Sequence, residues 1–247
     1  AILGVSGSVL FVLWTLLVIQ CYRRYGDSAF RRVGLQLGNP DVGVRLVIGI
    51  LLFFLIQAGL NWALDLGEFQ GIQERIEGIP VPGWLYPFAL VAFLLLAVIG
   101  NPLGSLAATF GEEYGWRGFL LRELSPVGWR LAAIITGLVW AVWHIPIILS
   151  GAHTYPPTLT GFLFAGLFFT LWGIVQSYAV LKTGSVWVAA FLHGVVNSVY
   201  AFVLNYLVRP ENKLFSFGLG AYGLACLLLV VLFIWRDPIW QQPVVVD

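Results

Sequence analysis

Hydrophobic positions in this chain fall into long, nearly unbroken runs: residues 2–22, 44–64, 85–100, 131–149, 161–181, 186–206 and 217–235. A helix rises 1.5 Å per residue, so about 20 predominantly apolar residues cross a bilayer, and most of these runs have that length. Short polar breaks join them. The pattern predicts an all-α, polytopic membrane bundle of seven or eight transmembrane helices, forming one unit over 1–247 with no room for a soluble domain. The run 2–22 exceeds the 7–15 residue apolar core of a signal peptide, so it reads as a span.

The breaks differ in charge. Residues 23–41 carry Arg23, Arg24, Arg31 and Arg32, whereas 65–82 carry Asp65, Glu68, Glu74 and Glu77 against Arg75. Counting lysine and arginine in the short loops puts Arg122, Arg130, Lys182 and Arg236 on the cytoplasmic side, together with the carboxyl end. Asn101-Pro102 predicts a break or a kink, because proline lacks the amide and restricts the residue before it. If residues 85–124 cross once there are seven spans and the basic loop 23–41 is inside; if they cross twice as a hairpin there are eight. Depth favours eight: Glu112, His144, His193 and Asn197 then lie about 18, 20, 12 and 18 Å from the inner end of their helices. Gly218, Gly220 and Gly223 predict close helix packing in the last span.

Composition agrees with the pattern. The chain is 60% hydrophobic and 10% charged, against roughly 25% charged in soluble domains, and its mean hydropathy is +0.90. A net charge of +1 with dispersed basic residues excludes nucleic acid as a partner. Cys21 and Cys226 both lie in apolar runs and read as small packing residues, not as a disulfide or metal pair. The chain opens at Ala1 and contains no methionine, as expected of a sequence lacking an upstream segment, processed, or engineered.

Against this background the stretch Gly111-Glu112-Glu113-Tyr114-Gly115-Trp116-Arg117-Gly118 stands out. Ionisable groups at bilayer depth cost about 2.5–3.5 kcal/mol each on insertion scales, so they mark function or pair with each other. Glu113 and Arg117 are four apart with the acid first, the favourable order for a helical ion pair, and read as structural support. Glu112 projects about 100° away and has no partner in its own helix, leaving it free to act as a base. His193 and Asn197 share one helical face. Trp140 and His144 share another, and Pro146 deprives the Val142 carbonyl of its donor, predicting a bend beside His144. Taken singly, His144, His193 and Asn197 are more often interhelical hydrogen-bonding partners than reactive groups; their co-occurrence with two glutamates raises the reactive reading. His153, in a polar loop beside Tyr155, reads as an exposed loop residue.

These residues resemble the CPBP intramembrane proteases, the CAAX prenyl endopeptidase and bacteriocin-processing group also called the Abi family. Glu112, Glu113 and Arg117 fit its EExxxR element, His144 its FxxxH element with Trp140 as a conservative replacement for phenylalanine, and His193 with Asn197 its HxxxN element. Order and spacing agree over 110–198, and the wording is similar to the prokaryotic branch. The resemblance implies an endopeptidase in a prokaryotic cell membrane, acting on a lipidated peptide or a membrane-protein segment in contact with membrane lipid. Carried over by position, Glu112 would be the general base, His144 would help it activate water, and His193 with Asn197 would stabilise the oxyanion. Glu112, His144 and His193 could alternatively hold zinc; the absence of HExxH and the weakness of asparagine as a ligand leave a metal-free mechanism equally compatible. A transporter or proton-coupled channel, or a noncatalytic bacteriocin-immunity protein, are the alternatives. No internal repeat supports the former.

Overall fold

The computed structural model describes residues 33–69 and 82–243, with 16, 19, 20, 22–24 and 26 before them. Most of the predicted span 2–22 and of the acidic loop 65–82, with Arg31, Arg32 and Cys21, therefore lies outside the described residues. Ten α-helices carry the described fold: α1 (Pro40–Ala63), α2 (Tyr86–Leu95), α3 (Asn101–Gly104), α4 (Leu106–Glu113), α5 (Leu121–Glu123), α6 (Trp129–Trp143), α7 (Ile145–Leu149), α8 (Leu159–Thr183), α9 (Val186–Tyr206) and α10 (Ala221–Ile234). Among the described residues five stretches are long and apolar enough to span: Pro40–Ala63, Gly83–Gly104, Trp129–Leu149, Leu159–Thr183 and Val186–Tyr206. Strands β1 (Gly67–Phe69) and β2 (Val208–Pro210) form one antiparallel ribbon beyond the ends of α1 and α9.

Local sequence explains where the long helices begin and end. Asn39 accepts hydrogen bonds from the amides of Asp41 and Val42 ahead of Pro40, capping α1. The tight turn expected at 182–185 is made by Gly184 at φ +71°, which terminates α8, and by Ser185, which caps α9. Gly137 and Gly173 bring α6 and α8 into backbone contact: a Cβ on Gly137 would sit 2.8 Å from Thr170 Cα. Without a hydrophobic drive between helices in lipid, such close approach supplies the packing.

Two expectations are corrected. The helix does not break at Asn101-Pro102 but continues to Gly104, because a wider π-helical stretch, Leu96–Gly100, absorbs the irregularity before the proline; the interruption falls at Ser105. There is also no hairpin in this region. Phe93 stacks on Tyr206 at 5.0 Å, Pro102 abuts Gly194, and Phe110 stacks on Trp187 at 4.0 Å. These contacts march in opposite directions along the two segments, so 83–110 passes α9 once, antiparallel. A single irregular residue at Ser105 cannot reverse a helix.

The last span is shorter than predicted, because Gly218 (φ +63°) and Gly220 belong to a turn before α10 and not to its packing face. That turn, in loop 211–220, is tied to α1 by two buried polar residues: Gln57 Oε1 accepts from the Gly218 amide at 2.9 Å, and Asn61 Nδ2 donates to the Ser216 carbonyl at 2.7 Å. At the opposite end Lys182 pairs with Asp237 at 2.7 Å and Arg130 donates to the Trp235 carbonyl at 3.0 Å.

Candidate active site

The motif segment is helical throughout but changes pitch within itself. Glu112 and Glu113 close α4, and Tyr114–Leu120 continues as a π-helix. Such widened turns recur at functional sites because they re-aim side chains that a regular helix would stack. Arg117 still reaches back one turn: its Nη1 donates to both carboxylate oxygens of Glu113 at 3.0 Å. The expected pair is therefore formed, with both side chains fully buried. Glu113 also does something that spacing within its helix does not show. Its Oε1 accepts from Nδ1 of His193 at 2.9 Å, so one buried carboxylate joins Arg117 to the histidine of α9.

Trp140 is the hub on the other side. Its Nε1–H donates to Glu112 Oε2 at 2.9 Å, its ring lies 4.4 Å beneath the Arg117 guanidinium, and its edges meet His193 at 5.3 Å and His144 at 5.6 Å. Reading it as a conservative stand-in for phenylalanine therefore needs correction, since phenylalanine has no proton to donate to Glu112. Where Pro146 predicts a bend the helix is interrupted: α6 ends at Trp143, His144 is a turn residue at φ −83° and ψ −8°, and α7 starts at Ile145. His144 Nδ1 lies 2.9 Å from the Trp140 carbonyl. A carbonyl can only accept, so the proton sits on Nδ1 and Nε2 carries the free lone pair.

Glu112, His144, His193 and Asn197 line one cavity of about 520 Å³, and Glu113 and Arg117 lie beneath it. His153 belongs there too. It is half-buried, its ring centroid is 5.7 Å from that of His144, and it lines the same cavity, which corrects its reading as an exposed loop residue. The missed signal was the adjacent Tyr155: buried, it donates its hydroxyl to the Leu219 carbonyl at 2.8 Å and draws loop 150–158 over the cavity. Burial, and after it the neighbouring His144, pushes the His153 imidazole down to about 4. Burial, then Tyr200, pushes the Tyr155 phenol up, which keeps it a donor.

The zinc expectation for Glu112, His144 and His193 does not fit this geometry. Among the described residues no three histidine, cysteine or carboxylate side chains are arranged to hold a metal ion.

What fold and site define is an integral-membrane protein with a carboxylate–imidazole centre buried inside its helical bundle. The family model described as type II CAAX prenyl endopeptidase Rce1-like matches residues 82–199, a range that contains every one of these motif residues. CAAX prenyl protease 2 of Methanococcus maripaludis is 34% identical over 201 residues, 76% of this chain and 66% of that protein. The chain belongs to the Rce1-like family, and it spans about two thirds of the length of this relative. No solved structure matches it.

Proposed function

We propose that the chain is an intramembrane endopeptidase in which Glu112 and His144 activate a water molecule. The observation that carries this reading is the division of proton roles around Trp140. One Glu112 oxygen is held by the indole N–H, leaving the other to take a proton from water, while His144 presents an unprotonated Nε2 to the same cavity. The hydroxide attacks the scissile carbonyl carbon, and its proton passes through Glu112 to the leaving amine as the C–N bond breaks. His193, its Nδ1–H committed to Glu113, has Nε2 available to the cavity, and Asn197 lies one turn further along α9. A proton on Nε2 and the Asn197 amide would donate to the oxygen that becomes negative, where fixed donors in a dry site are most effective. No serine or cysteine nucleophile is required.

The proposed substrate class draws on the relative named CAAX prenyl protease 2 and on the cavity. A lipidated tail or a membrane-protein segment presented at the bilayer fits both. One observation favours the second. The cavity runs toward loops 150–158 and 211–220, at the end opposite Arg130, Lys182 and Arg236. With that basic end, and so the carboxyl terminus, cytoplasmic, substrates would enter from the far side of the membrane.

The test is cleavage by the purified protein in lipid nanodiscs, read by mass spectrometry over farnesylated CAAX peptides and unmodified peptides, beside Glu112→Gln. Cleavage that falls by two or more orders of magnitude in the variant supports the assignment. A folded wild-type protein that cuts nothing, or a variant as active as wild type, refutes it.

A further inference from the structure

The chain contains three histidines, and all three line the same cavity. The chemistry above uses His144 and His193 and leaves His153 without a task. His153 reaches the cavity from loop 150–158 and stands beside His144. Its ring centroid is 5.7 Å from that of His144 and 5.8 Å from that of Phe169, on which the His144 ring is stacked at 3.8 Å.

The loop holds this ring in place. It leaves α7 through Gly151 at φ +72°, with Ser150 Oγ donating to the Ile147 carbonyl at 2.8 Å and accepting from the Ala152 amide at 3.4 Å. The His153 ring then stacks on Tyr155 at 5.4 Å, and Tyr155 is buried and bonded to the Leu219 carbonyl. Nδ1 of His153 accepts from the Tyr155 amide at 3.2 Å, so the ring is neutral there and its proton is on Nε2. The two ring nitrogens face different ways. With Nδ1 turned to its own loop, the Nε2–H is directed away from that loop, and it has no acceptor among the described residues.

The reacting water offers an acceptor. Its two hydrogens are taken up by Glu112 and by Nε2 of His144, and of its two lone pairs only one can attack the carbonyl carbon. Two hydrogen bonds meeting at one oxygen reach about 4.5–6 Å from end to end, so rings with centres 5.7 Å apart fit a single water between them. We propose that His153 is a third holder of the reacting water, its Nε2–H donating to the water oxygen so that one lone pair is left for the substrate. The inference rests on the protease reading. No proton passes through His153: its N–H stays on Nε2 while the water's proton goes to Glu112. Its contribution is orientation, since a water fixed by three partners has fewer unproductive poses, and an effect confined to the reacting step lowers kcat when lost and leaves peptide binding alone.

The experiment measures kcat and KM of the full chain in nanodiscs on two internally quenched peptides, a farnesylated CAAX peptide and an unmodified one, for wild type, His153→Phe, His153→Leu and His153→Gln. Phenylalanine keeps a ring against Tyr155 and leucine keeps apolar bulk, both without an N–H, whereas glutamine restores a donor near the place of Nε2. The expected result is a kcat about tenfold lower in the phenylalanine and leucine variants with KM changed by less than about twofold, and a kcat for glutamine within about threefold of wild type. An unchanged kcat in a folded phenylalanine or leucine variant, a loss carried by KM alone, a glutamine variant as slow as phenylalanine, or failure of both donor-free variants to fold overturns the inference. Failure of the protease reading looks different: the wild-type protein already leaves both peptides uncut, as Glu112→Gln does, and the inference falls with it.

Discussion

Replacing Glu113 with alanine would leave Arg117 as a buried charge without its hydrogen-bonded carboxylate. Both side chains are 0% exposed, and Arg117 draws both of its hydrogen bonds from this one carboxylate. Removing one partner of a buried pair costs about 3–5 kcal/mol, because the remaining charge keeps its desolvation penalty. His193 also loses the acceptor for Nδ1, a further penalty of about 1–3 kcal/mol. The total, about 4–8 kcal/mol, approaches the 5–15 kcal/mol stability of a typical protein, so Glu113→Ala should be largely unfolded or poorly recovered. Glu112→Ala is a different case. Glu112 is half-buried beside the cavity and accepts one bond, from Trp140, so its loss should cost about 1 kcal/mol. The double variant Glu113→Leu with Arg117→Met removes both charges at similar volume and should recover most of the single variant's loss. Thermal unfolding in detergent, followed by tryptophan fluorescence and size exclusion, compares the four proteins. Equal melting temperatures for the Glu112 and Glu113 single variants would refute the separation of roles, and a double variant no more stable than Glu113→Ala would refute the stranded-charge explanation.

Two further outcomes test the surroundings of the site. Trp140→Phe keeps an aromatic ring beneath Arg117 but removes the donor to Glu112. It should lower kcat/KM about tenfold, equivalent to about 1.4 kcal/mol, with little change in melting temperature; an unchanged kcat/KM would show that the indole does not position the base. His153, held at about 4 against an ordinary 6.5 by burial and by His144, should make the protein less stable as pH falls. Between those values the unfolded chain takes up the proton and the folded one does not, so stability drops from pH 6.5 toward 4 and this component levels off below 4. Melting temperatures of wild type and His153→Gln across that range should converge toward acid pH, and parallel curves would count against a buried neutral His153.

Local physics made much of this protein legible in its sequence. Hydropathy placed α1, α6 with α7, α8 and α9 to within a few residues, since lipid demands a continuous apolar run wherever the backbone must satisfy its own hydrogen bonds. Spacing by four gave the Glu113–Arg117 pair and the shared face of His193 and Asn197, and Pro146 gave the interruption beside His144, each a property of a single helix. The path through Pro102 was not legible, because a π-helical stretch and a proline compensate each other in a way that residue preferences do not encode.

Only the tertiary structure decided how those faces meet. The Trp140–Glu112 bond spans 28 residues and the His193–Glu113 bond 80, and both depend on the rotation of whole helices about their axes. Gly137 and Gly173 permit that approach, but permitting contact does not fix its angle. Loop 150–158 is likewise set by Tyr155 reaching a carbonyl 64 residues away, and with it the placement of His153. The sequence thus determined which residues could take part, through periodicity and the cost of charge in lipid. Packing determined which carboxylate binds which ring, because a hydrogen bond between distant helices depends on ångström-scale placement that hydropathy and spacing do not fix.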